Sequence, residues 1–302
     1  MMWYFSLTRF IVGAVFLLIA STMDLKTRRV PNRLWIVMGS VAMMVLFSEL
    51  LVRKIWSDAE IYWQHFLIFV PIIVLFSEAF MDRPPLYSEK GIELKVLAWL
   101  ILPVVVFIYM VNTLSHSLLF WTLSMIPGMM LFAFMMYFFY ILYGGADAKA
   151  VITLAVLVPF YPYIPNFTHR AVSADLVPLM QTLFPFTLVI LLNSSLIVAV
   201  FPVFYFFMNL FKKDLDFPKM FFGYRKKVSE IEDSFVWPME YYEDGSLKTE
   251  LFPRSDPEER VESLKLHDRE KVWTTPKIPF IVPIFIGFIL SFIIGNPMMY
   301  LF

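Results

Sequence analysis

Through most of the chain, apolar residues run unbroken for lengths that suit a bilayer-spanning helix, and polar residues collect in thin seams between them. A helix needs about 20 mostly apolar residues to cross the hydrocarbon core. About eight stretches reach or approach that length: residues 3–23, 34–52, 61–80, 96–112, 118–143, 148–160, 176–211 and 278–302. Arg9 interrupts the first, and Glu49 lies near the end of the second. The pattern predicts an all-α fold, a polytopic transmembrane helix bundle of about eight spans. The first stretch is too long for a cleaved secretory signal and lacks its small-residue exit, so it reads as a permanent helix.

Between residues 212 and 276 the pattern changes. That segment mixes 12 basic with 15 acidic residues and retains Trp237, Tyr241, Tyr242, Leu251 and Trp273. It is too aromatic for a plain disordered tail. A small cytoplasmic subdomain leaning on the bundle is the preferred reading, and a partly flexible loop is the alternative. The expected organisation is a transmembrane core over 1–211, a polar cytoplasmic insertion over 212–276, and a last core helix over 277–302.

Positive charge gives the orientation, because cytoplasmic loops hold an excess of Lys and Arg. Under strict alternation through eight crossings, the odd seams hold 21 Lys and Arg, including Lys26, Arg28, Arg29, Arg33, Arg83, Lys90, Lys95 and Lys149. The N-terminus and the even seams hold four, namely Arg9, Arg53, Lys54 and Arg170. The N-terminus is therefore expected outside and the odd seams in the cytoplasm, in a multi-pass protein of the cell membrane.

Composition agrees with this reading. The 302 residues are 59% hydrophobic and 17% charged, whereas soluble domains are roughly half apolar and a quarter charged. The formal net charge is zero, and no basic stripe interleaves with aromatics, so nucleic-acid binding has no support. The absence of cysteine removes disulfides, thiolate nucleophiles, Cys-ligated zinc and iron–sulfur clusters together.

The chain contains no HExxH zinc motif and no GxSxG elbow. His65, His116, His169 and His267 are scattered among different seams and spans, and read as structural or interfacial. Carboxylates in or beside apolar spans are more informative, since burying one in lipid is costly. Glu49 and Arg53 have the i,i+4 spacing of a local ion pair at an outer interface. Glu78 lies one turn before Asp82 and Arg83 and also reads as interfacial.

Asp24 and Asp147 differ from these. Asp24 ends the first span and opens the sequence MDLKTRRVPN, while Asp147 sits in GGADAK before a short helix. The charge count puts both at the cytoplasmic ends of their helices. Two carboxyls held close cannot both ionise, so one keeps a proton while the other stays a base. Such a pair activates water and protonates a departing amide nitrogen without a metal or an organic cofactor. Gly144 and Gly145 permit unusual backbone angles and close approach of a substrate strand. Lys149 either hydrogen-bonds a neighbouring carboxylate or reaches toward the headgroups. Taken singly, Asp24 also reads as a helix-end partner of Arg28, and Asp147 as a helix N-cap. Their joint occurrence on one face favours the catalytic pair.

At these residues the sequence resembles the archaeal prepilin and preflagellin peptidases, membrane aspartic proteases of the GxGD class. The first motif of that family corresponds to Asp24, Arg28, Val30, Pro31 and Asn32. The second corresponds to Gly144-Gly145-Ala146-Asp147 followed by Ala148-Lys149, with Ala146 in place of the family's glycine. A Pro-x-x-Pro-Phe stretch before the last helix is also similar, at Pro276, Pro279 and Phe280. The resemblance implies removal of the short basic leader from class III signal peptides of pilin-like or archaellin precursors, at the cytoplasmic face. Asp24 and Asp147 would be catalytic, with Gly144, Gly145 and Lys149 positioning substrate and backbone. Bacterial relatives add a cysteine-bearing region and N-methylation, so peptidase activity alone is expected here. The 212–276 insertion has no counterpart in this resemblance. The expected partners are a protein precursor and the lipid bilayer.

Two other readings use the same aspartates. A presenilin-like or signal-peptide-peptidase-like protease would carry Tyr-Asp and Pro-Ala-Leu motifs, but Met23 precedes Asp24 and no Pro-Ala-Leu occurs. A proton-coupled transporter would use both acids as a relay and would show inverted-repeat hydropathy, which this sequence lacks.

Overall fold

The computed structural model describes residues 3–56, 60–81, 86–88, 91–142, 144–168, 177–232, 234–243, 245–253, 257–267 and 269–300. Arg83, Lys90, His169 and Arg170, used above as charge or histidine markers, and Asp82 lie outside the described residues. In chain order the elements begin with α1 (Trp3–Thr27), α2 (Asn32–Trp56), a 3-10 turn at Trp63–Ile68 and α3 (Phe69–Glu78). The strands β1 (Tyr87–Ser88) and β2 (Gly91–Ile92), then α4 (Leu94–Leu114), α5 (Leu118–Phe138) and α6 (Gly145–Leu157) follow. Next come α7 (Val177–Leu183), α8 (Phe186–Val198), α9 (Val200–Lys212), β3 (Tyr224–Lys227), β4 (Val236–Pro238), β5 (Glu240–Glu243) and β6 (Ser246–Thr249). The chain closes with α10 (Pro257–Leu266), β7 (Lys271–Pro276) and α11 (Ile281–Ile294).

The fold is mainly helical. Among the described residues, six helical segments are long and apolar enough to cross a membrane: Trp3–Thr27, Asn32–Trp56, Leu94–Leu114, Leu118–Phe138, Phe186–Lys212 and Ile281–Met299. The other two expected spans are shorter. Residues 61–80 divide into the 3-10 turn and the 10-residue α3. In place of the expected span 148–160 stands the 13-residue α6, Gly145–Leu157, which at helical rise measures about 20 Å against a hydrocarbon core of about 30 Å.

The chain divides into two compact units, Met1–Ser194 with Phe280–Phe302, and Ser195–Pro279. In the first unit α6 is buried almost all round, from Ala150 through Leu157, as befits a helix that is apolar on every face. It packs against α5 and α2, while α1 packs chiefly against α11 and α2. The α1–α11 contact is close because Gly13 has no side chain. A β-carbon there would fall inside the ring of Phe288. The turn from α1 to α2 is also defined locally. Arg28 takes a positive φ of 56°, and the Thr27 hydroxyl donates to the Met23 and Arg29 carbonyls at 2.9 and 3.1 Å. Pro31 then leads into α2 at Asn32, because proline is disfavoured inside a helix but suits its start.

The second unit contains an antiparallel sheet of order β3-β7-β4, with Arg225 opposite Trp273 and Trp237 opposite Thr275. Strands β5 and β6 pair as a separate hairpin. Val228, Ile231, Val236, Val261, Leu264 and Val272 form its apolar cluster. Arg260 is buried, pairs with Glu250, and lies 4.2 Å from the Tyr241 ring centroid. The polar segment is therefore ordered around a core of its own.

Candidate active site

Asp24 occupies the last full turn of α1 and is buried. The Arg28 guanidinium, one turn on, and the backbone of Ile281 lie near its carboxyl. Ile281 is the first residue of α11. Its amide is one of the donors left unpaired at a helix start, so the positive end of α11 lies near the Asp24 carboxyl. The Ser21 hydroxyl donates to the Ile281 carbonyl at 3.4 Å and strengthens the same junction. The stretch ending at Pro279-Phe280 thus leads directly into a helix terminus that touches Asp24.

Asp147 lies in the first turn of α6, whose N-cap is Gly144 with φ −93° and ψ 127°. The Asp147 and Ala148 N–H groups donate to the Gly144 carbonyl at 3.0 and 3.3 Å. The Asp147 carboxyl folds back over Gly144 at the helix start. Gly144 has an ordinary extended backbone, and neither site glycine has a positive φ. The expected need for unusual backbone angles is not met here; space is the reason for glycine at 144. A β-carbon there would stand 2.5 Å from Asp147 Oδ2, whereas one on Gly145 would meet only Tyr137, at 3.9 Å.

Across 123 positions of sequence, the fold brings the carboxyls of Asp24 and Asp147 within electrostatic reach of each other. Asp147 keeps part of its surface open. Lys149, one half-turn further along α6, donates from Nζ to Asn32 Oδ1 at 2.8 Å and lies 5.5 Å from the Phe80 ring centroid. That bond joins the Pro31-Asn32 element of the first motif to the Lys149 position of the second.

The remaining candidates lie apart from this pair. Glu49 accepts from Arg53 Nε at 3.0 Å, the expected one-turn ion pair, and is itself buried. It also pairs with buried Arg9, a contact the sequence reading did not foresee. A signal for it existed, since Arg9 and Glu49 are nearly equidistant from the α1–α2 turn at residues 29–30. Both guanidinium groups face the Phe160 ring, Arg53 at 4.4 Å and Arg9 at 5.5 Å. Glu78 accepts from Trp99 Nε1 at 3.1 Å. His65 is buried and bonded to Ser117 Oγ at 3.1 Å, and His267 stacks on Tyr242 at 3.8 Å. Among the described residues no cluster of three or more His, Asp or Glu is arranged to hold a metal ion.

Comparison with known proteins bears on this geometry. The model of the Type IV leader peptidase family matches residues 11–92, which include the Asp24 motif. Over those residues the chain is similar to that family. It is a protease of the aspartic type. Residues 216–296 match the Archaeal Peptidase A24 C-terminus Type II, so most of the segment for which sequence reading found no counterpart has one. Asp147 lies between the two matched stretches. The chain is 28% identical over 225 residues to a preflagellin peptidase of Methanocaldococcus jannaschii, covering 72% of this chain and 91% of the relative. It is 29% identical over 160 residues to a preflagellin peptidase of Methanococcus maripaludis, covering 51% of this chain and 64% of the relative. A third preflagellin peptidase, from Methanococcus voltae, is 26% identical over 182 residues, with 58% and 73% covered.

Proposed function

We propose that this peptidase removes the basic leader from class III precursors, archaellin-like or pilin-like, at the cytoplasmic face of the cell membrane, without N-methylating the product. Asp24 and Asp147 form the catalytic pair. One carboxylate takes a proton from water as its oxygen attacks the scissile carbonyl, while the protonated partner donates toward the carbonyl oxygen. The tetrahedral intermediate then collapses, the amide nitrogen takes a proton from the pair, and the C–N bond breaks. Gly144 and Gly145 leave room for the scissile segment, and Lys149 positions the backbone.

What supports this reading is that α1 touches α6, which leaves the carboxyls of Asp24 and Asp147 within electrostatic reach of each other although their helices are far apart in sequence. The names of the relatives support the substrate class. The cytoplasmic placement rests on the basic residues beside both motifs, Lys26, Arg28, Arg29 and Arg33 around Asp24 and Lys149 beside Asp147, which obey the positive-inside rule.

The test is processing of a preflagellin precursor by the wild type, Asp24→Asn and Asp147→Asn, with membrane insertion checked for each. Both variants are expected to leave the leader attached. Normal trimming by either one overturns the mechanism. A cut within the apolar segment instead of at the leader boundary would move the assignment to the presenilin-like class.

A further inference from the structure

We infer that Asn32 and Lys149 are positioning residues that set the gap between the two aspartates, an inference resting on the catalytic pair proposed above. Asn32 lies eight residues after Asp24 and Lys149 two residues after Asp147. The bond from Lys149 Nζ to Asn32 Oδ1, 2.8 Å long, therefore closes a short ring from one carboxyl-bearing residue to the other. Without it, the chain between Asp24 and Asp147 is a detour through α2, α3, α4 and α5.

Both ends of the ring are stiff. Pro31 has a fixed φ and immediately precedes Asn32, and Asn32 opens α2. Lys149 lies on α6, its Nζ 5.5 Å from the Phe80 ring centroid, and α6 is buried from Ala150 to Leu157. The other end of the α6 segment is also tied to α2, because Phe160 lies against the Arg53 guanidinium at 4.4 Å. Held at both ends, α6 has a fixed slide and rotation relative to α2. Its first turn, with Asp147, is then held in register with the end of α1, with Asp24. A misplacement of about 1 Å in a catalytic group is enough to cost about 10²-fold in rate, so one charge-assisted hydrogen bond at this point has leverage on catalysis.

The experiment measures kcat and KM for a preflagellin precursor in detergent or liposomes. It compares the wild type, Asn32→Leu, Lys149→Met, the double variant Asn32→Leu/Lys149→Met, and Asn32→Asp. Each single loss is expected to lower kcat about 10- to 100-fold, the range for a hydrogen bond to a charged group, with KM almost unchanged. The double variant should be no worse than the worse single one, because both remove the same bond. Asn32→Asp, which keeps the acceptor, should restore most of kcat.

A second measurement does not depend on activity. The chain has no cysteine, so the pair Asp24→Cys with Asp147→Cys can be joined by a short bifunctional maleimide without competing sites. Adding Asn32→Leu to that pair is expected to reduce the cross-linked fraction. Fully additive losses in the double variant, an effect confined to KM, full activity in both single variants, or cross-linking indifferent to Asn32→Leu would each overturn the inference. Those outcomes leave the catalytic pair standing as long as Asp24→Asn and Asp147→Asn are inactive. Activity in those two would remove the catalytic reading itself.

Discussion

The Asp147 carboxyl lies over Gly144 so closely that a β-carbon at residue 144 would stand 2.5 Å from Oδ2. The side chain is folded back toward the helix start. The position of a proposed catalytic oxygen is thus coupled to the lack of a side chain three residues earlier.

Gly144→Ala should therefore displace the carboxyl while leaving α6 intact. The φ of −93° and ψ of 127° at residue 144 suit alanine, so the effect should appear in turnover more than in stability. We expect kcat to fall by about 10²-fold, the scale of a misplaced catalytic group. Gly145→Ala meets only Tyr137, at ordinary contact distance, and adds a good helix former inside a helix. It should lose less rate than Gly144→Ala, because it narrows only the room left for the scissile segment and does not displace the Asp147 carboxyl. Equal losses in the two variants would show that chain flexibility, not the space for Asp147, is what residue 144 supplies.

At the far end of α1, Glu49 pairs with both Arg9 and Arg53. The side chains of Arg9 and Glu49 are 3% and 2% exposed, and that of Arg53 is 27% exposed. Removing one partner of a buried ion pair leaves an uncompensated charge and costs about 3–5 kcal/mol, whereas an exposed pair contributes about 0–1 kcal/mol. Glu49→Leu should leave the buried Arg9 guanidinium without its carboxylate and lower the thermal unfolding midpoint of the detergent-solubilised chain strongly. Arg53→Met should lower it far less. Similar midpoints for the two variants would mean that the Arg9–Glu49 pair contributes little.

What the sequence reveals follows from the range of each interaction. Long apolar runs such as 34–52 are legible because crossing a bilayer needs little more than length and hydropathy. The break after Asp147 is legible too, because Pro159 stops that run, whereas the run 176–211 reads as one span and its division into α7, α8 and α9 does not show. Residues 61–80 satisfy hydropathy but contain Pro71 and begin as a 3-10 turn, so composition overstates their length as one helix. The candidate aspartates stand out because each is bracketed by local turn signals, Pro31-Asn32 on one side and Gly144-Gly145 on the other. The Arg9–Glu49 pair, the Lys149–Asn32 bond and the Ser21–Ile281 bond join residues 40, 117 and 260 positions apart. No local pattern encodes such a meeting; it depends on which helix packs beside which. The alternation of β-branched and aromatic residues in KVWTTP (residues 271–276) is a strand signal, masked by the high charge of its surroundings.

In the second unit, Lys219 gives a pH dependence with a definite sign. Burial works against its charge, but hydrogen bonds from Nζ to Glu240 at 2.7 Å and the ion pair with Asp216 at 2.9 Å outweigh it. Its ammonium is held above the ordinary lysine value of 10.5. A group whose pKa is raised by folding stabilises the fold while it is protonated in both states. The contribution is complete below the ordinary value and disappears as pH climbs through the raised one. Thermal midpoints of the full chain should therefore fall more steeply above about pH 10 than in Lys219→Met. That variant should already be destabilised at neutral pH, by about 1.5–3 kcal/mol for the lost charged hydrogen bonds. Glu240 explains the loss: it is buried and also accepts from the Trp273 N–H at 3.2 Å, so it cannot turn to solvent when the lysine is removed. Limited proteolysis between residues 219 and 276 localises the change to this unit. Parallel alkaline slopes in wild type and Lys219→Met would show that the ammonium gains nothing from its two carboxylates.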